Sequence, residues 1–215
     1  MDNMVMNMND MKDLKDVLEK VEKKIMAAGK IYGAMNFAFW LIAMLGYYVL
    51  APITSYSIYF TIIYWPIAFA TGIFFIIKIT RMIAKVERNG SSRGFGAMIG
   101  ISWGIGAALG WFLIPSLNLG VNTESSMAIG FLSFMSISIF GMWLSFIKYK
   151  IGAEEMIPAF SIPAIGIPMA MTIKIDAMAW SGFVVAISFS ITILWYLYSA
   201  FKYMGVPNDE GHNQE

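Results

Sequence analysis

Five tracts of this chain contain no Asp, Glu, Lys, Arg or His: Ile31 to Ile77, Phe95 to Leu117, Ser125 to Ile147, Met156 to Ile173 and Ala177 to Phe201. A run of about 18 or more uncharged, mostly apolar residues is long enough to cross a hydrocarbon core of about 30 Å. No water exists there to satisfy backbone N–H and C=O groups, so such runs close their hydrogen bonds internally as helices. Charged residues are 13% of the sequence, against about 25% in soluble domains. The sequence therefore specifies an all-α, polytopic membrane helix bundle.

The first tract is too long for one crossing. It divides at "APITSYS", where Pro52, Thr54, Ser55 and Ser57 provide turn residues. About six spans follow, over 31–53, 58–77, 95–115, 126–147, 156–173 and 178–201. They form a transmembrane region over 31–204, between an N-terminal segment (1–30) and a polar tail (205–215). A stretch of thirty residues, twelve of them charged, precedes the first span, so no cleavable signal peptide is expected. The chain has no cysteine, which removes disulfides, thiolate metal sites and thiol nucleophiles.

Lys and Arg set the orientation. Lys12, Lys15, Lys20, Lys23, Lys24 and Lys30 precede span one, and Lys78, Arg81, Lys85, Arg88 and Arg93 lie between spans two and three. Lys148 and Lys150 follow span four, whereas the loops 54–57 and 116–125 contain none. The positive-inside rule places the N-terminus in the cytoplasm of a cell-membrane protein. Asn89 opens an N-x-S sequon, which would be silent on that side. Lys78, Arg81, Lys85 and Arg88 recur at helical spacing at the membrane edge and read as a stripe for anionic lipid headgroups. The partner this implies is the bilayer surface, not nucleic acid.

The fifth span is "IPAFSIPAIGIPMAM", three pentads that each open with Ile-Pro. Pro163 and Pro168 lack the N–H that would bond the carbonyls of Ala159 and Ala164. One reading is a kinked helix whose freed carbonyls bond neighbouring hydroxyls. The other is a broken helix that offers carbonyls to a permeant, with Gly166 adding local freedom. Met156 to Ile173 is 18 residues, at the short limit for a crossing. Crossing is favoured over a re-entrant turn.

Small residues cluster in the neighbouring spans. Gly96, Gly100, Gly104, Gly106 and Gly110 fall within an arc of roughly 160° on span three. Gly130, Ser133, Ser138, Gly141 and Ser145 lie within roughly 140° on span four. Such faces let helix backbones approach closely. Ser181, Ser188, Thr192 and Ser199 form a stripe of roughly 40° on span six, read either as interhelical packing or as a hydroxyl-lined path. A faint internal echo, W-x11-P, links Trp40–Pro52 with Trp103–Pro115.

No ionisable side chain sits inside any of these spans, and such residues are what mark proton relays and charge pathways. The single histidine, His212, lies in the tail, so neither a His-based metal cluster nor a Ser-His pair is available. Span three lacks the G-K-[ST] ending of a nucleotide loop. An enzyme is not expected, nor a cofactor.

Methionines at 1, 4, 6, 8 and 11 make the leader rich in thioethers, soft ligands for Cu(I), although a polar, low-complexity end is more often disordered. Met11, Leu14, Leu18, Val21, Ile25 and Ala28 then alternate at spacings of three and four as a heptad seam. Asp16–Lys20 and Glu19–Lys23 form i,i+4 pairs. A short cytoplasmic amphipathic helix is expected there, with a seam for a second copy, the lipid surface or the extension of span two. Two function classes survive. The first is a non-catalytic membrane subunit, assembling through its glycine faces as a homo-oligomer or with another chain. The alternative is a small channel or carrier for a neutral solute or monovalent ion, built on the proline-broken span.

Overall fold

The computed structural model describes residues 8–55, 57–84, 92–117, 119–149 and 152–205. Its elements are helices: α1 (Met8–Ile53), α2 (Ile58–Ala84), α3 (Ser92–Ala107), α4 (Thr123–Lys148), α5 (Ile157–Ala170) and α6 (Ala177–Met204). A π turn (Ala108–Leu113) and one last α turn (Ile114–Ser116) extend α3, and a 3-10 turn (Glu154–Met156) leads into α5. Five of these helices, all but α5, are long and apolar enough to cross a membrane. The chain is a helical membrane bundle.

The N-terminal amphipathic stretch and the first span are one unbroken helix of 46 residues, whose only proline, Pro52, is in its final turn. Met1, Met4 and Met6 of the leader lie outside the described residues, as do Lys85, Arg88, Asn89 and the tail beyond Gly205. Lys78 and Arg81 fall in the last turns of α2.

The core is formed by α1, α4, α5 and α6. Antiparallel packing of α1 on α6 is visible at three levels. Tyr48 donates to the Met178 carbonyl at 3.2 Å, Phe37 meets Phe189 edge-on at 5.1 Å, and Gly33 lies under the Tyr196 ring. Between them Ala34, Met44, Val185 and Phe189 are buried with Leu132, Met135 and Ile139 of α4.

One end of the core is tied by polar contacts. Asn122 caps α4, its Oδ1 accepting from the Ser125 N–H at 2.7 Å, the usual role of Asn before a helix. The Asn122 amide donates to the Lys174 carbonyl at 2.8 Å and the Ser125 hydroxyl to that of Ile173 at 2.5 Å. Asp176 turns the chain into α6 with φ of 58°, a left-handed conformation in which Asp is among the better-tolerated residues.

Two helices lie outside this core. α2 touches α1 through aromatic contacts, Tyr64 with Tyr47 and Phe75 with Phe39, and the Tyr64 hydroxyl donates to the Ala43 carbonyl at 2.6 Å. α3 lies against α4. Trp40 and Trp103, the tryptophans of the internal echo, meet with ring centroids 6.5 Å apart.

Candidate functional site

The proline helix α5 is only 14 residues, about 21 Å at 1.5 Å per residue. Its flanking turns nevertheless carry it along the whole core. Glu155, before it, bonds Lys30 at one end, and Ile173, after it, accepts from Ser125 at the other. Ser136 of α4 donates to the Phe160 carbonyl at 2.9 Å, next to Ala159, whose own carbonyl lost its helical donor to Pro163. This bond reaches the carbonyl beside the freed one; hydroxyls are among the groups that satisfy proline-disturbed backbone in a membrane.

The carbonyl-bearing residues do not share a wall. Ala159, Pro163 and Gly166 are buried, whereas Ala164 and Pro168 are exposed on the lipid-facing side. Gly166 gives room to Val184, Leu132 and Trp180, which a Cβ would meet at 3.1 to 3.4 Å. On α6, Ser181, Ser188 and Thr192 are fully buried. Two of these hydroxyls bond their own helix, Ser181 to Met178 at 2.7 Å and Ser188 to Val185 at 2.8 Å. The Thr192 hydroxyl has no hydrogen-bond partner.

Sequence reasoning missed a charged pair at one end of the core. Lys30 directly precedes the first uncharged tract and Glu155 the fourth, yet they are 8% and 4% exposed. The Lys30 ammonium donates to Glu155 Oε2 at 2.7 Å and to the Gly152 carbonyl at 2.9 Å. It also lies 5.8 Å from the centroid of the Tyr196 ring, within cation–π range. A Cβ on Gly33 would stand 2.7 Å from Tyr196 Cε1, so glycine is what lets that ring lie over α1. The pair is net neutral and fastens the segment that feeds α5 to the middle of α1. Its only sequence signal is that Lys30 and Glu155 each adjoin an uncharged tract.

The glycines divide into two groups. Gly106 would drive a Cβ into the Ser138 hydroxyl, and Gly110 would place one 2.6 Å from the Gly130 carbonyl; a Cβ on Gly130 would in turn strike the Gly110 carbonyl. That reciprocity fits paired Cα–H···O contacts between the two backbones. Gly141 faces Ser102 in the same way. The Ser138 hydroxyl, buried without a conventional partner, points at Gly106. Pro115 removes the N–H due to Trp111, and the π turn sits immediately before it. Gly96, Gly100 and Gly104 are different: a Cβ at each would meet nothing within 4 Å. Among the described residues no three of His, Cys, Asp and Glu come together as metal ligands would.

Comparison with protein-family models, curated proteins and solved structures finds no match to this chain.

Proposed function

We propose that the chain is a non-catalytic subunit of a cell-membrane assembly, crossing six times with its N-terminus in the cytoplasm. One contrast carries this reading: two glycine stripes on α3 are equally bare, and among the described residues only one is covered. Gly106 and Gly110 are closed against α4, whereas Gly96, Gly100 and Gly104 present backbone to open space. Lipid supplies no hydrophobic drive for helix association, so a small-residue stripe favours a second helix by close backbone packing. The core interior supports the same reading, because most of its hydroxyls bond their own helix or an adjacent carbonyl and the buried Lys30–Glu155 pair is internally neutral.

The test is the mass of the assembly extracted from native membranes in mild detergent. The wild type should migrate above the mass of one chain. Gly100→Leu or Gly104→Leu should shift it down without lowering thermal stability, and Met98→Leu should not. A wild type that migrates as a single chain overturns the proposal.

The carrier reading has one observation of its own, the unpartnered Thr192 hydroxyl at the centre of the α6 hydroxyl row. Proteoliposome flux of a neutral solute or monovalent ion, abolished by combined Pro163→Ala and Pro168→Ala with folding intact, would favour it instead.

A further inference from the structure

We infer that the N-terminal arm of α1 is a docking face for an amphipathic helix of a different protein on the aqueous side. This deepens the subunit reading and rests on it. Met11, Leu14, Leu18 and Val21 are 54%, 48%, 60% and 47% exposed, so four large apolar side chains are left uncovered along a single stripe.

Three features select the occupant. First, the stripe does not lie on lipid. α1 runs from Met8 to Ile53 without a break, so the arm continues the direction of the first span away from the membrane instead of bending into its plane. An interfacial helix must lie in that plane to bury its apolar face.

Second, the stripe continues an interface that already exists. Met11, Leu18, Ile25, Tyr32, Phe39 and Gly46 are spaced by seven residues, and Phe39 and Gly46 are where α2 packs, at Phe75, Gly72 and Tyr64. This side is opposite Ala27, Lys30, Ala34 and Phe37, which enter the core. Extrapolating that antiparallel register, Ala84, the last described residue of α2, stands level with about residue 28. Beyond that level Met11, Leu14, Leu18 and Val21 stay exposed, and no described residue of α2 continues along the seam for its more than two further heptads.

Third, α2 obstructs a second copy. Two chains in one membrane that turned these faces together would hold two α2 helices, each about 10 Å thick, between their α1 helices. The occupant is instead a helix that stacks above α2 and takes over its track. Lys15, Glu22 and Lys24 flank the seam, so that helix presents apolar residues at three-four spacing, acidic groups toward Lys15 and Lys24, and a basic group toward Glu22.

The chain has no cysteine, so single cysteines report cleanly. Leu14→Cys and Leu18→Cys would sit on the seam, and Asp16→Cys on the far face. In native membranes a water-soluble maleimide should label the seam positions at least about tenfold more slowly than Asp16→Cys, the protection given by a partner at about ten times its dissociation constant. After purification into proteoliposomes the faces should react alike. Equal rates in native membranes overturn the inference. Protection that persists with the purified chain also overturns it, in favour of a second copy or the chain's own residues. If the seam is free but the extracted wild type still exceeds one chain in mass, the subunit reading survives and this inference falls alone.

Discussion

The core and the outer helices are made of nearly the same residues and differ in how those residues are held. In the apolar window of α4, 56% of residues are buried, and 44% in that of α6, against 6% in α2 and 11% in α3. Apolarity does not explain the contrast, since α4 and α3 are equally apolar. What separates them is polar and steric detail: the core contains the Lys30–Glu155 pair, the Ser125 and Ser136 bonds between helices, and the glycines that admit Tyr48 and Tyr196. In lipid, apolarity only keeps a helix in the membrane, and fit decides which helices meet.

The largest expected effect tests whether the charged pair organises the core. Lys30→Ala or Glu155→Ala leaves the other charge buried and should cost about 3–5 kcal/mol, read by thermal or steric-trap unfolding. Combined Lys30→Met and Glu155→Leu should recover most of that loss, since a well-packed apolar pair can match a buried ion pair. Single variants as stable as the wild type would show that the core does not depend on the pair.

Next in size is the boundary between the regions, which runs along α3 itself. Gly106→Leu and Gly110→Leu should destabilise the monomer by about 1–3 kcal/mol through overpacking. Gly100→Leu should stay within about 0.5 kcal/mol, as a surface change does. Equal losses at Gly100 and Gly106 would erase the distinction between a covered and an open stripe.

That boundary also marks how far the sequence could be read. The uncharged tracts disclosed the helices because excluding charge is a requirement of the solvent, which acts on every residue in a span. The glycine arc of roughly 160° was too broad to choose a face: it merges Gly96–Gly100–Gly104 with Gly106–Gly110, two stripes of the same spacing. Ser102, Gly106 and Gly110 form the line that meets α4, a choice made by the shape of α4 and not by α3 alone. The ion pair was hidden for a different reason. Its members are 125 residues apart, and a lysine at the edge of a span ordinarily reaches for water. Burial became visible only when the 3-10 turn brought Glu155 to α1.

The proline helix should respond weakly. Pro163→Ala with Pro168→Ala restores two backbone donors but removes a buried ring, so stability should move by no more than about 1 kcal/mol in either direction. A collapse of the fold would mean that the prolines themselves set how α5 packs between α4 and α6.

The smallest effect belongs to the arm, outside both regions. The hydrogen bond from Lys23, 2.7 Å away, and then its charge hold Glu19 below its ordinary pKa of 4.5. A carboxyl with a depressed folded pKa contributes only while ionised, so its help is present above the ordinary value and fades as pH falls through the depressed one. Arm helicity, followed by hydrogen exchange, should decrease slightly on acidification. In Glu19→Gln that component should be absent. Both parts should be screened by salt, because the pair is on the surface.

The brevity of α5 has a consequence for the lipid around the protein. Ile165 and Met169, 71% and 56% exposed, face outward from a helix of 14 residues, roughly 9 Å shorter than an average hydrocarbon core at 1.5 Å rise per residue. If α5 crosses as proposed, the two leaflets beside it would draw together, while longer α4 and α6 next to it ask for full thickness. On the proposed six-span topology the protein would sit in a lopsided collar of thinned bilayer, and a thicker, more ordered membrane would raise the cost of that deformation by fractions of a kcal/mol for each ångström of mismatch. Its abundance should follow membrane thickness, with short-chain lipids as its preferred surroundings.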